Sequence, residues 1–174
     1  MNSTAMATLL ELPTISRIRR NHGLEHACLH LLSQRYPGRG FSGHSDAGGF
    51  WIVGDVSRED VSAVVQEALM RMLAGEKNLA VHPNCGTNFV TSGIFAGLAG
   101  FLALAGSGHR LRDRLERLPL AATLSILALI LARPVGLLLQ QEVTTSGNPG
   151  GLQIVSITSG RRGRWLTHRI RTTG

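Results

Sequence analysis

The sequence is poor in the residues that staple small domains. Cys28 and Cys85 are its two cysteines, too few for a disulfide framework and in keeping with a reducing compartment. Aromatic residues make up 5% and do not interleave with basic ones, which weighs against a nucleic-acid surface. Lysine is nearly missing: of eighteen basic residues, all but Lys77 are arginine. Internal repeats and low-complexity tracts are absent. A secretory leader is not expected either, because Met1 to Leu12 has no basic start and few consecutive apolar residues. The N-terminal region is therefore expected to stay on the side of the membrane where it is made.

What the sequence does hold is concentrated apolarity. Mean hydropathy is +0.10 despite a formal charge of +7, so the apolar residues must be grouped. Residues 89 to 106 read FVTSGIFAGLAGFLALAG, an uncharged run about as long as a membrane-crossing helix. Residues 118 to 139 read LPLAATLSILALILARPVGLLL, broken only by Arg133 and Pro134. There the arginine can reach toward headgroups and the proline kinks a helix. A small soluble domain seldom carries two such runs eleven residues apart, so a two-helix transmembrane hairpin is expected. The arginines cluster at Arg17, Arg19 and Arg20, at Arg110 to Arg117, and at Arg161 to Arg171. Beside two spans they read as contacts to anionic lipid headgroups.

Periodicity predicts a helix from about Ile15 to Gln34, ended by Tyr36-Pro37-Gly38. Its apolar stripe is Leu24, Ala27, Cys28 and Leu31, with His22, His26 and His30 on the other side. Residues 38 to 49 read as a loop or irregular hairpin, 50 to 56 as a strand, and a helix capped by Ser57 runs to about Leu73. Leu79 to His82 looks like a short strand, and 152 to 158 and 164 to 172 are candidate strands across an SGRRG turn. The predicted class is α+β: residues 1–88 form the N-terminal part of a small helix and strand domain, 89–139 the transmembrane hairpin, and 140–174 the C-terminal strands that complete the domain. Both ends then lie on one membrane face, as an even number of spans requires. The arginines of SGHRLRDRLER favour a cytoplasmic loop by the positive-inside count. The missing leader and unpaired cysteines favour a cytoplasmic domain, and that is the expectation, in a bacterial inner membrane.

The stretch NHGLEHACLH carries the chemistry. Residues four apart on a helix differ by only about 40° around the axis, so His22 and His26 can hold one ion between them. H-x-x-E-H is the inverzincin order, two histidine ligands and a glutamate that polarises a water. By itself the spelling fits a solvated polar helix face equally well. His30 extends the stripe by another turn, however. Gly23 costs about 1 kcal/mol relative to alanine, a cost understandable if another backbone must approach there. A zinc site needs a third protein ligand, and a structural one a fourth. His82 and Cys85, in HPNCGTN directly before the first apolar run, supply an imidazole and a thiol. Read alone, that stretch is an ordinary strand-to-helix turn, with Thr87 or Asn88 as cap.

HGLEH followed by HPNCGTNF and an apolar span resembles the YqhQ-like group of uncharacterised bacterial membrane proteins, whose pattern is HGxEH and then HPxCGT. The resemblance covers both motifs and the first span but not the basic C-terminus. It implies a multi-pass membrane protein with the makings of a metal site. Position by position, it implies His22, Gly23, Glu25, His26, His82, Pro83, Cys85, Gly86 and Thr87 as the functional set. His30 rests on helix geometry alone.

Three functions compete. A metal-dependent hydrolase at the membrane surface would use zinc or another divalent transition metal held by His22, His26, His82 and Cys85. Glu25 would be its general base, His30 an assisting group, and a peptide bond or lipid ester its substrate. A non-catalytic site of three imidazoles and a thiolate would instead staple the structure. A transporter or assembly partner is the third, with Gly93 and Gly97 in G-x-x-x-G spacing packing copies into a homo-oligomer. His44 and Asp46 are lesser polar candidates, and His109 and His168 receive no catalytic role.

Overall fold

A computed structural model describes residues 3–106, 108 and 110–174; His109 lies outside them. The chain forms two units, one of residues up to His82 together with Gln141–Gly174, the other Pro83–Gln140.

In the first unit a short helix α1 (Ser3–Leu10) precedes the long helix α2 (Pro13–Arg35). Proline opens α2 where its missing N–H costs nothing. The chain leaves the helix through Gly38 at φ 84°, a left-handed position that glycine takes without a Cβ penalty. Leu24, Ala27, Cys28, Leu31 and Leu32 are all buried on the predicted face, and they cover one side of a sheet. That sheet contains β1 (Ser42–Asp46), β2 (Gly49–Val53), β3 (Gln153–Arg162) and β4 (Trp165–Thr173) in the order β1-β2-β4-β3, antiparallel throughout. Helix α3 (Arg58–Leu73) begins where Ser57 Oγ accepts the Asp60 N–H at 3.0 Å, as its sequence signature predicts. Val61, Val64, Val65, Ala68 and Met72 of α3 complete a core with Phe50, Ile52 and Ile170.

Three local expectations are settled or changed. Of the loop and the hairpin expected over 38–49, the hairpin is present, and its first arm is a strand at 42–46 although SGHSD has no apolar alternation: the Asp46 carboxylate accepts the Gly48 N–H at 2.7 Å and closes a tight turn onto β2. The strand expected over 50 to 56 ends at Val53. The short strand expected at Leu79 to His82 is instead a 3-10 turn, Lys77–Ala80. Its last carbonyls bond to imidazoles of α2 and so take no part in a strand ladder.

The second unit is helical: α4 (Gly86–Ala105), α5 (Leu111–Leu131) and α6 (Arg133–Leu139). Helices α4 and α5 run antiparallel, with Ser125 Oγ donating to the Ala96 carbonyl at 2.9 Å and Arg117 to that of Ala103 at 3.3 Å. Close approach is possible because Gly100 has no side chain: a Cβ there would lie 2.8 Å from Ser125 Oγ. Cys85 is the N-cap residue of α4, while Asn88 donates to the Pro83 carbonyl at 2.9 Å. Pro134 sits in the first turn of α6, and the chain bends by 41° at the break. Pro119 lies inside α5, a feature the sequence reading did not weigh. Among the described residues, one helix, α4, is long and apolar enough by itself to cross a membrane. The second run passes the same test only as the bent pair of α5 with Arg133–Thr144. Of the two expected spans, the first is thus one such helix and the second is broken at Arg133 and Pro134, where the kink was expected.

Candidate metal centre

The histidine face of α2 looks away from its core stripe, as the 3.6-residue period requires. Each of its imidazoles meets a main-chain carbonyl from elsewhere in the first unit. His22 Nδ1 lies 2.9 Å from the Thr144 carbonyl, His26 Nδ1 2.8 Å from that of Ala80, and His30 Nε2 2.8 Å from that of Val81. A carbonyl can only accept, so each of these nitrogens carries the proton and donates. In a neutral ring the opposite nitrogen, Nε2 of His22 and His26 and Nδ1 of His30, is then the acceptor. This carbonyl-to-histidine arrangement is the one that orients metal-ligating imidazoles.

His82, from the end of the 77–80 turn, comes among them. Ring centroids are 4.4 Å apart for His22 and His26, 5.6 Å for His26 and His82, and 4.8 Å for His30 and His82. Imidazoles bound through nitrogen at zinc distances, with tetrahedral angles, put their centroids about 5 Å apart. The His22–His26 and His26–His82 spacings lie near that value, but among the described residues His82 does not bring a ligand atom within 4.8 Å of those of both His22 and His26. Burial, followed by the neighbouring His30 and His26, pushes the His82 pKa down to about 4. His82 is therefore neutral at physiological pH, the state a metal ligand needs.

The backbone approach inferred from Gly23 is present. A Cβ on residue 23 would overlap the Ser146 carbonyl oxygen and touch Ala80 Cβ at 3.2 Å. The segment responsible is tied to α2 by the Ser146 N–H donating to the Arg19 carbonyl at 2.9 Å, and by Arg19 donating to the carbonyls of Val143 and Glu142. Gly23 thus allows the segment that bears the Thr144 acceptor to lie against the helix. These carbonyl partners were invisible to sequence reasoning, since any residue type carries one.

Glu25 is almost fully buried, 3% exposed. A Cβ on Gly43 of β1 would lie 2.7 Å from its Oε1, so the bare glycine makes room for the carboxylate. Cys85 is a buried thiol three residues beyond His82 in the chain, with Sγ 3.6 Å from Thr87 Oγ1. Cys28 is different: it lies in the core stripe, and burial, helped by the charge of Glu25, pushes its thiol pKa up, leaving it inert. His30 borders a small cavity of about 220 Å³ with Gln34, Glu76 and Asn78. His44 is apart from this group, stacked on Trp51 at 6.3 Å between centroids, and Asp46 pairs with Arg169 at 2.8 Å. His168, given no role from sequence, is buried in the sheet with Nδ1 2.8 Å from Ser159 Oγ. That bond is a structural use of the ring.

Comparison with known proteins returns relatives of unassigned function. An uncharacterized protein of Picosynechococcus sp. is 37% identical over 140 residues, covering 74% of this chain and 66% of its own length. The match thus spans a little under two thirds of that relative. No solved structure matches. Residues 17–157, which hold both histidine-bearing segments and the apolar helices, match the family described as a domain of unknown function, DUF6391; the chain belongs to that family.

Proposed function

We propose that this is a metal-binding integral membrane protein acting as a metal-dependent hydrolase at the membrane surface. The observation that carries the reading is the pair His22 and His26. They lie one turn apart on one helix, with both Nδ1–H groups held by carbonyls and the two rings 4.4 Å apart between centroids. His82 joins them as the third imidazole, and Cys85 is assigned to the set from its position three residues further along the chain. Zinc or a similar divalent ion would supply Lewis acidity and activate water near neutral pH. Glu25, one turn from His22 and next to His26, would take the proton, and His30, its Nε2–H given to the Val81 carbonyl, would be an assisting group beside them. The likeness to the YqhQ-like motif pattern points to the same residues. The reading puts α4 in a bacterial inner membrane, with the histidine-bearing unit on the cytoplasmic side, in keeping with two cysteines that form no disulfide.

A second reading, a closed structural site, draws on Cys85. Three imidazoles and a thiolate fill a tetrahedral shell and leave no position for water. Glu25→Gln in the full-length protein separates the two. For a hydrolase, metal content and melting temperature stay unchanged while cleavage of peptide or lipid-ester reporters falls by about 10²–10⁴-fold, the usual worth of a general base. A structural site gives the same metal content and no turnover in either protein.

A further inference from the structure

Among the described residues of the first unit, no helix covers the sheet face turned away from α2 and α3. Side chains alternate across a strand, so this face receives His44, Trp51, Arg162, Trp165 and Arg169. The register aligns His44 with Trp51, Trp51 with Arg169, and Arg162 with Trp165. Between the two tryptophans runs a groove of about 750 Å³, floored by Val53 and Thr167 and rimmed by Arg161 and Arg162. Asp46 is neutralised by Arg169, whose guanidinium holds its carboxyl below the usual range. Among the described residues, no carboxylate pairs with Arg161, Arg162, Arg164 or Arg171. The face is therefore strongly cationic and calls for an anionic partner.

The aromatic rings decide which kind. Trp51 is flanked in register by His44, stacked at 6.3 Å with an interplanar angle of 15°, and by the Arg169 guanidinium at 5.4 Å. These neighbours flank the indole and leave it less open to a nucleobase. Trp165, at the end of the β3–β4 hairpin, stands 47% exposed with Arg164 over its ring at 4.7 Å. An exposed tryptophan beside arginine is the pairing found at membrane interfaces, where the indole sits at headgroup depth and guanidinium groups take phosphates bidentately. A helix apolar enough to cross a membrane belongs to the same chain.

We propose that this face docks on anionic phospholipid headgroups, with Arg161, Arg162 and Arg164 taking the phosphates and Trp165 entering the interfacial layer. The proposal does not depend on the metal centre. The chain has two tryptophans, both on this face, so intrinsic emission reports on it alone. The full-length protein is held in neutral detergent micelles and titrated with phosphatidylglycerol or phosphatidylcholine. Phosphatidylglycerol should shift the emission to shorter wavelength, and phosphatidylcholine should not. The triple substitution Arg161→Gln, Arg162→Gln, Arg164→Gln removes three surface charges and should require at least about tenfold more phosphatidylglycerol for the same shift. The corresponding triple lysine protein should retain most of the response. Equal emission with both lipids overturns the proposal. So does a glutamine triple that titrates like the wild type, or an equal shift produced by inorganic phosphate or a single-stranded oligonucleotide without phosphatidylglycerol.

Discussion

In the α+β unit Phe50, Leu24, Leu32 and Ile170 are fully buried and, Glu25 excepted, the charged side chains are not. In α4 and α5 the order is reversed. Phe89, Ile94, Leu98, Phe101 and Ile126 stand exposed, while the buried positions are Asn88, Thr91, Ala103 and Ala121. The first arrangement is what water selects; the second is what hydrocarbon would select. Water drives large apolar groups inward, whereas hydrocarbon gives them no reason to leave the surface, and helices there associate through small residues and hydrogen bonds. The Ser125 to Ala96 bond and the bare Gly100 are contacts of that second kind. A metal site carried by a chain of this sort would work beside a bilayer.

The largest expected contrast comes from one substitution made in both places. Leu24→Ala, at a fully buried site, should cost about 2–5 kcal/mol. Leu98→Ala, 55% exposed on α4, should cost under about 0.5 kcal/mol. Thermal unfolding in detergent measures both, and equal losses would erase the distinction between the units. A somewhat smaller effect is expected at Gly23. Helix propensity alone favours Gly23→Ala by about 1 kcal/mol, but the added methyl would overlap the Ser146 carbonyl, and overpacking of this sort costs about 1–3 kcal/mol. Denaturant titration should therefore show a net loss of stability; a gain would mean that the 144–146 segment does not lie against the helix.

Those two sites also show what was legible in the sequence. The apolar stripe of α2, the Ser57 cap of α3 and both C-terminal strands are written in local periodicity and capping chemistry, which survive translation into structure. The need for a close backbone at Gly23 was readable too, though not which backbone would come. Strand β1 was not readable, because SGHSD is ordered by its pairing with β2 and not by its own pattern. Nor was the turn at Lys77–Ala80, where the carbonyls of Ala80 and the following Val81 are drawn to His26 and His30. The basic and aromatic residues looked unrelated because Trp51 and Arg169 are far apart in sequence and adjacent only across the β2–β4 ladder.

A still smaller effect distinguishes the buried His168 from the α2 histidines. Burial lowers its pKa from 6.5, so the folded protein keeps it neutral while the unfolded chain takes a proton below that pH. Its contribution is complete above 6.5 and is lost as pH falls through the lowered value. His168→Gln should therefore flatten the acid side of a stability-against-pH curve without altering metal content. An unchanged slope would show that the ring is not held neutral. The smallest effect belongs to the surface: Arg112→Ala, which removes the exposed pair with Glu116, should change stability by about 0.3–0.5 kcal/mol, near the limit of a melting experiment.

The central claim is that His22, His26 and His82, with Cys85, hold a metal ion. Elemental analysis of the purified full-length protein tests it most directly, alongside His22→Ala and Cys85→Ala proteins shown to be folded by circular dichroism. The account predicts about one zinc or similar transition ion per chain in the wild type and a large loss in both variants. Equal and negligible zinc, iron and manganese in all three would contradict it.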